Sequence, residues 1–291
     1  MGKGKRIKEQ RKKAEENNPV IPDISSKGIS TGRYYNLTTT ALLLLAISSI
    51  IFVLFTKNVI YYEPYFYADF FDSCAAPLLA FTLVESFYHS DNHKRKLLTL
   101  LIMGAICEPF KDIVTFEGNI WMKQNIFFSL LISYITLGLI HKNWTERFAS
   151  KLYKKPALVK IFGKVFTVAG VIFLITASSY CKLEYGFRFI LLVLLFDFAR
   201  HRKHTKIFQF IAVILYIISY GKWTYMNVSC VLALLAIYDA EKKTRKSKGA
   251  QKKDRKIEEF YTRRPVKKFS MIVYPLGLLI ASIIKVIIYF V

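Results

Sequence analysis

Long apolar stretches separated by short polar or basic segments are the dominant pattern of this 291-residue chain. Several stretches run for 14 to 20 residues without the polar face that a surface helix of a soluble domain carries. A bilayer core about 30 Å thick needs roughly 20 apolar residues as a helix. The pattern therefore predicts an all-α integral membrane bundle of about nine transmembrane helices. The predicted spans are residues 37–56, 70–88, 97–113, 125–141, 161–180, 186–199, 207–221, 226–239 and 269–291.

Lys and Arg residues are distributed unevenly between the two sides of this bundle. With the N-terminus in the cytoplasm, the inner segments hold 35 of them and the outer loops hold 4. The positive-inside rule requires this kind of asymmetry. It predicts a multi-pass protein of the cytoplasmic membrane with its C-terminus outside. The chain divides into a basic cytoplasmic tail, 1–36, and a membrane domain, 37–291, which includes a basic cytoplasmic loop at 240–268.

The formal net charge of +23 could also indicate nucleic-acid binding. The basic loop at 240–268, however, contains only Phe260 and Tyr261 as aromatic residues, which gives little capacity to stack on bases. Basic segments beside a membrane attract anionic headgroups. We therefore expect the lipid bilayer and its anionic lipids, and not nucleic acid, to be the partners of these loops.

Motifs for metal binding or soluble-enzyme chemistry are absent from the sequence. Its four cysteines have no CxxC spacing, and no P-loop, GxGxxG, GxSxG or HExxH motif occurs. The segment "HSDNH" offers His89, Asp91 and His93, but such a loop is usually solvated. We expect no metal and no bound cofactor.

Charged residues inside the predicted spans are more informative. Each costs roughly 2.5–3.5 kcal/mol at the centre of a membrane, so it usually faces the bundle interior and finds a partner. Glu85 and His89 lie four residues apart and share one helix face. They are the best candidates for a catalytic acid–base pair. The alternative interpretation is that they form only the polar end of a helix.

A second group of charges lies in the segment "EPFKD". Its Glu108, Lys111 and Asp112 share a helix face, and Arg188 lies near the outer end of another span. These residues could line a polar cavity or form structural ion pairs between helices. Lys285, close to the end of the last span, could extend its side chain to the interface.

Five segments resemble the TraX family, which comprises bacterial multi-span membrane proteins grouped with membrane acyltransferases and named for pilin N-acetylation. In chain order they are "SCAAPLLAFTLVESFYHSDNHKRKLL", "EPFKDIVTFEGN", "NIFFSLLISYITLGL", "YGFRFILLVLLF" and "YPLGLLIASII". Residues that match family elements are Pro77, Leu78, Asn125, Tyr185, Gly186, Tyr274 and Pro275. With the charges above, this resemblance gives a predicted polar core of Glu108, Lys111, Asp112, Asn125, Tyr185 and Arg188.

The same resemblance exposes four departures. Ser48 and Ser49 stand where the family has an Asp-His pair, Ser73 where it has Arg, and Gly277 where it has His. Acyl transfer needs a base, and serine cannot act as one near neutral pH. The presumed catalytic residues are therefore largely replaced, and any remaining activity is expected to depend on His89.

Three functions fit these residues. The resemblance implies acyl transfer, such as acetyl transfer, from a cytoplasmic acyl-CoA acting as co-substrate. A non-catalytic TraX-like scaffold or accessory protein is the alternative, because the four presumed catalytic positions have changed. A transporter is the second alternative, with the charged residues lining a path, although the paired broken helices typical of transporters are not apparent.

The topology can be tested with a reporter that is active only in the cytoplasm. We expect activity when the reporter is inserted in the basic loop at 240–268 and none when it is fused after Val291, because an odd number of spans separates the two termini. A strong signal at Val291 would refute the nine-span count.

Overall fold

The fold, taken from a computed structural model, consists of helices. The structure describes residues 29, 31–56, 64–90, 92–115, 124–141, 144–152, 156–219, 226–247 and 264–290. The helices of this part of the chain are α1 Thr31–Thr56, α2 Pro64–Tyr88, α3 His93–Thr115, α4 Ile126–His141, α5 Trp144–Leu152, α6 Pro156–Tyr180, α7 Gly186–Arg200, α8 Thr205–Ser219, α9 Met226–Ser247 and α10 Arg264–Phe290.

The predicted all-α class is confirmed, since the described residues contain helices and a single isolated bridge between Gln124 and Leu183. Each predicted span overlaps one helix, but α9 continues to Ser247 and so includes the first part of the predicted basic loop at 240–268. Four helices are long and apolar enough to cross a membrane by length and composition, namely α1, α2, α6 and α10, and two shorter apolar ones are α4 and α8. The count of nine transmembrane helices remains a prediction. Most of the basic tail and of the loop at 240–268 lies outside the described residues.

Helix α2 forms the centre of the bundle. It packs against α1, α4, α7 and α9, and 78% of the residues in its most apolar stretch are buried inside the protein. Helix α6 lies at the periphery, where it packs on α4, α5 and α7. Only 6% of the residues in its most apolar stretch are buried inside the protein. An apolar helix with so little protein around it suits a lipid-facing position. Functional groups on α2 are therefore shielded from lipid by neighbouring helices.

The short helix α5 was not predicted, because its nine residues fall in a segment assigned only as a basic loop. It packs against α6, and the hydroxyls of Thr145 and Thr167 lie 2.7 Å apart between the two helices. Phe148 and Leu152, one turn apart, are exposed. An exposed apolar pair on a short helix with basic residues is typical of a helix lying in the membrane interface.

Helices α1 and α10 approach each other closely at Gly277. A Cβ atom added there would overlap the Cβ of Ala46. The small residues on both sides allow this approach, which is a common way to pack membrane helices. The position at which the resemblance expects histidine is therefore filled by the neighbouring helix.

Lys285 does not extend to the interface as the sequence suggested. Its side chain is buried, and its Nζ donates a hydrogen bond to the backbone oxygen of Val114 at 2.9 Å. The reason is that α10 packs on α3, whose last carbonyl groups have no partner within their own helix. The lysine satisfies one of them.

The close approach of α1 and α10 can be tested with Gly277→Ala. We expect a loss of about 1–3 kcal/mol in the free energy of unfolding, because the new methyl group forces the two backbones apart. Thermal and denaturant unfolding of the protein in detergent measures it.

Gly170→Ala is the matched control, since both substitutions gain the same helix propensity. Its Cβ would lie 3.0 Å from Cδ1 of Leu139, the mobile end of a side chain that can move away. Equal stability of the two variants would contradict the packing described here.

Candidate functional site

Two polar clusters lie at opposite ends of α7. The first gathers where α2, α4 and α7 end, at the side of the bundle that the charge asymmetry assigns to the cytoplasm. We call it the histidine cluster, and its members are Glu85, Tyr88, His89, His141, Asp197, Arg200 and His201.

Glu85 is buried and anchors one side of the histidine cluster. Its Oε1 lies 3.3 Å from Nε of Arg200, and its Oε2 accepts a hydrogen bond from the backbone N–H of Ile29 at 3.3 Å. His89 Nδ1 lies 3.7 Å from the same Oε2 but only 2.7 Å from the backbone oxygen of Glu85. The predicted Glu85–His89 pair is thus in place, with its closer contact made through the main chain.

Asp197 organises the other side of the cluster. The Tyr88 hydroxyl donates to its Oδ1 at 2.7 Å, and His141 Nε2 lies 2.7 Å from its Oδ2. The Tyr88 oxygen is also 3.3 Å from His201 Nε2, and the guanidinium of Arg200 lies 4.4 Å from the centre of the Tyr88 ring. A tyrosine, two histidines, a carboxylate and a guanidinium therefore converge within a few ångströms.

The hydrogen bonds determine where the protons of the histidines lie. A backbone carbonyl only accepts, so His201, whose Nδ1 lies 2.9 Å from the oxygen of Asp197, carries its proton on Nδ1. In its neutral form, Nε2 then holds a lone pair that faces the Tyr88 hydroxyl. His141 in turn donates from Nε2 to the Asp197 carboxylate. His201 is thus the ring in this group whose free lone pair faces a hydroxyl.

Exposed basic side chains lie at the same end of the bundle as the histidine cluster. Helices α3 and α8 both begin at this end of the bundle, and the segments at their starts carry basic side chains. The exposed ones are Lys94, Arg95, Arg202, Lys203 and Lys206. Such a rim attracts anions and raises their local concentration.

The second cluster lies at the other end of α7, and we call it the lysine cluster: Glu108, Lys111, Asn125, Glu184 and Tyr185. Lys111 and Glu184 are both buried, and Nζ lies 2.6 Å from Oε1. Asn125 donates hydrogen bonds from its backbone N–H to Glu108 Oε2, at 3.2 Å, and from its side-chain amide to the same oxygen. This cluster ties α3, α4 and the turn before α7 together.

That turn has an unusual backbone. Lys182, Tyr185 and Gly186 have positive φ angles of 49°, 63° and 54°. Leu183 forms the bridge with Gln124, and the Tyr185 hydroxyl donates to the backbone oxygen of Asp72 at 3.0 Å. The left-handed conformation costs a non-glycine residue energy, so these contacts have to maintain it. The result aims Glu184 inward at Lys111.

Sequence reasoning located part of each cluster. Glu85 with His89, and Glu108 with Lys111, Asn125 and Tyr185, come together as expected, while Asp112 and Arg188 are half-buried. Lys111 pairs with Glu184 and not with its helix neighbours. Arg188 is twelve residues from Arg200 on α7, about 18 Å along the helix axis, so it cannot join Glu85 and His89.

Several members of the clusters were not identified as site residues from the sequence: Tyr88, His141, Asp197, Arg200, His201 and Glu184. Most of them lie at helix ends, where polar residues are routine and carry no signal of their own. One signal was available, because all five histidines of the chain fall in predicted inner segments or at inner span ends.

Comparison with known proteins agrees with the family resemblance. The family model described as "TraX protein" matches residues 35–285 of the chain. No curated protein and no solved structure matches it.

The buried Lys111–Glu184 pair is expected to stabilise the bundle. Lys111→Met should cost about 3–5 kcal/mol in unfolding free energy, because it leaves the Glu184 carboxylate buried without its cation. Thermal unfolding in detergent micelles measures this loss.

The double variant Lys111→Met/Glu184→Gln is the control. It should recover part of the loss, since no uncompensated charge remains. Glu184→Gln is measured alone as well. If the losses of the two single variants simply add in the double variant, the pair is not the interaction that matters.

Proposed function

The chain belongs to the TraX family, and we propose that it transfers an acyl group from a cytoplasmic acyl-CoA at the histidine cluster. The observation that supports this most directly is the arrangement of Asp197, Tyr88 and His201. The tautomer of the His201 ring is fixed by the backbone oxygen of Asp197, and its Nε2 faces the Tyr88 hydroxyl. Nucleophile, base and orienting group within hydrogen-bond reach form the general pattern of acyl-transfer sites.

The basic residues at this end of the bundle favour a donor that carries negative charge. Coenzyme A carries phosphate groups, and the exposed rim of Lys94, Arg95, Arg202, Lys203 and Lys206 supplies complementary charge. The thioester end of the donor needs a polar site next to the rim. Tyr88 and His141 are only partly buried, which leaves room for access from that side.

In this proposal His201 acts as the general base. Its Nε2 accepts the proton of the attacking group, while the backbone oxygen of Asp197 holds the opposite nitrogen protonated. Arg200, paired with Glu85, keeps a positive charge beside the reacting carbonyl as negative charge develops there. His89 is the second candidate for the base, since its Nδ1 is also held by a carbonyl oxygen.

One observation favours the alternative of a non-catalytic scaffold. The four positions where the family's presumed catalytic residues are replaced are all buried and used for packing. The hydroxyls of Ser48 and Ser49 donate to backbone oxygens, the backbone oxygen of Ser73 accepts from the Cys230 thiol, and Gly277 packs against Ala46. A protein selected only for its shape would look the same at these positions.

Turnover of acetyl-CoA by the purified protein in nanodiscs distinguishes the two functions. We expect slow release of coenzyme A, and a fall of about 10²–10⁴-fold in the His201→Ala variant, which is the usual cost of losing a general base. His89→Ala should have a smaller effect.

His204→Ala is the matched control, because His204 is exposed in the same turn, three residues from His201, and belongs to neither cluster. It should leave turnover unchanged. Turnover that survives His201→Ala but not His89→Ala would move the base to His89. No coenzyme A release in any variant would favour the scaffold.

A further inference from the structure

Tyr88 occupies the point where the groups of the histidine cluster meet. Its hydroxyl oxygen is 2.7 Å from Asp197 Oδ1, 3.2 Å from His141 Nε2 and 3.3 Å from His201 Nε2. An acceptor approaching the lone pair of His201 would find this hydroxyl already in place. Tyr88 is the last residue of α2, and these hydrogen-bonding contacts with residues of α4, α7 and the turn after α7 hold its hydroxyl in place.

We propose that Tyr88 is the nucleophile of the reaction and carries the acyl group as a phenol ester between donor and acceptor. This inference rests on the proposed function and adds a covalent intermediate to it. Tyrosine forms such intermediates when a base lies within hydrogen-bond reach and is itself oriented by a third group. Both conditions are met here: the Tyr88 hydroxyl oxygen lies 3.3 Å from His201 Nε2, and His201 Nδ1 lies 2.9 Å from the backbone oxygen of Asp197.

The first step transfers the acyl group to the protein. The Tyr88 hydroxyl turns from Asp197 toward His201, its oxygen attacks the thioester carbonyl, and its proton passes to His201 Nε2. The oxygen–carbon bond forms as the carbon–sulfur bond breaks. The proton held by His201 then protonates the departing coenzyme A thiolate, so the ring returns to its neutral form.

The second step regenerates Tyr88. An acceptor amine or hydroxyl attacks the phenol ester, His201 accepts its proton, and that proton returns to the departing Tyr88 oxygen. No oxidant, reductant or metal is needed in either step. A phenolate is a good leaving group, which makes the intermediate an active acyl donor.

The Arg200 guanidinium contributes to both steps. It lies 4.4 Å from the centre of the Tyr88 ring and 3.3 Å from the Glu85 carboxylate, so it is fixed over the ring. A cation over the face of an aromatic ring is attracted to its electrons. That attraction increases as negative charge builds on the phenol oxygen and spreads into the ring, which favours attack and departure alike.

The experiment traps the ester in the absence of an acceptor. The full chain in nanodiscs is incubated with acetyl-CoA, and separately with p-nitrophenyl acetate, a small activated ester that does not require a coenzyme A site. Peptide mass spectrometry before and after neutral hydroxylamine then locates acetyl groups. Hydroxylamine removes phenol esters and leaves lysine amides intact.

We expect one hydroxylamine-sensitive acetyl group per chain on Tyr88 with either donor. Tyr88→Phe should abolish it and lower coenzyme A release by on the order of 10²-fold. Tyr238→Phe is the matched control: its hydroxyl is also hydrogen-bonded at this end, to the backbone oxygen of Lys206 at 2.6 Å, but it contacts no member of the cluster through that bond. The Tyr238→Phe variant should be acetylated at Tyr88 to the same extent as the wild type.

The outcomes separate this inference from the proposed function. Coenzyme A release without a Tyr88 ester, retained in Tyr88→Phe, would overturn the intermediate and leave the acyltransferase proposal standing. A Tyr88 ester from p-nitrophenyl acetate alone would support the nucleophile and refute acetyl-CoA as donor. No ester on Tyr88 from either donor would overturn the inference. Unfolding temperatures of the two phenylalanine variants show whether either has lost its fold.

Discussion

The pairing of charges inside a low-dielectric bundle is the constraint on which the rest of this structure depends. A charge that faces lipid is expensive, so each deep carboxylate or ammonium group must find a partner on another segment. Glu85 finds Arg200, and Lys111 finds Glu184. Both partners belong to α7 or to the turn before it, so this one helix links two ion pairs at opposite ends of the bundle.

The two clusters differ in how they relate to the family pattern. The lysine cluster contains Asn125 and Tyr185, which match family elements, and it joins three segments by hydrogen bonds. The positions that depart from the pattern have instead become contacts between helices, as Gly277 and Ala46 illustrate. Positions that the resemblance matches to the family thus join segments by hydrogen bonds, whereas positions at which it finds departures are packed between helices.

The sequence predicted the helices well and the partners poorly, for a physical reason. Apolar length and the position of cations are properties of the chain itself, so every predicted span overlaps a helix. That Glu85 and Lys111 would be buried also followed from the cost of their charge. Which cation or carboxylate would meet them depends on helix packing, and their partners Arg200 and Glu184 lie just outside the predicted spans. The helix α5 was not predicted because its nine residues are shorter than the stretch over which helical periodicity is usually judged, and they lie in a segment interpreted as a basic loop.

The contact between Ile29 and Glu85 couples the basic tail to the histidine cluster. The backbone N–H of Ile29 occupies one carboxylate oxygen, and the side chain of Ile29 is buried in the apolar core. A ligand that displaces this N–H from Glu85 must also loosen the root of the tail. By thermodynamic reciprocity, a lipid or protein that captures the tail in the loosened form strengthens binding of that ligand by the same factor. Occupation of this carboxylate oxygen by a ligand and release of Ile29 would in this way be linked, and the linkage could be measured from either side.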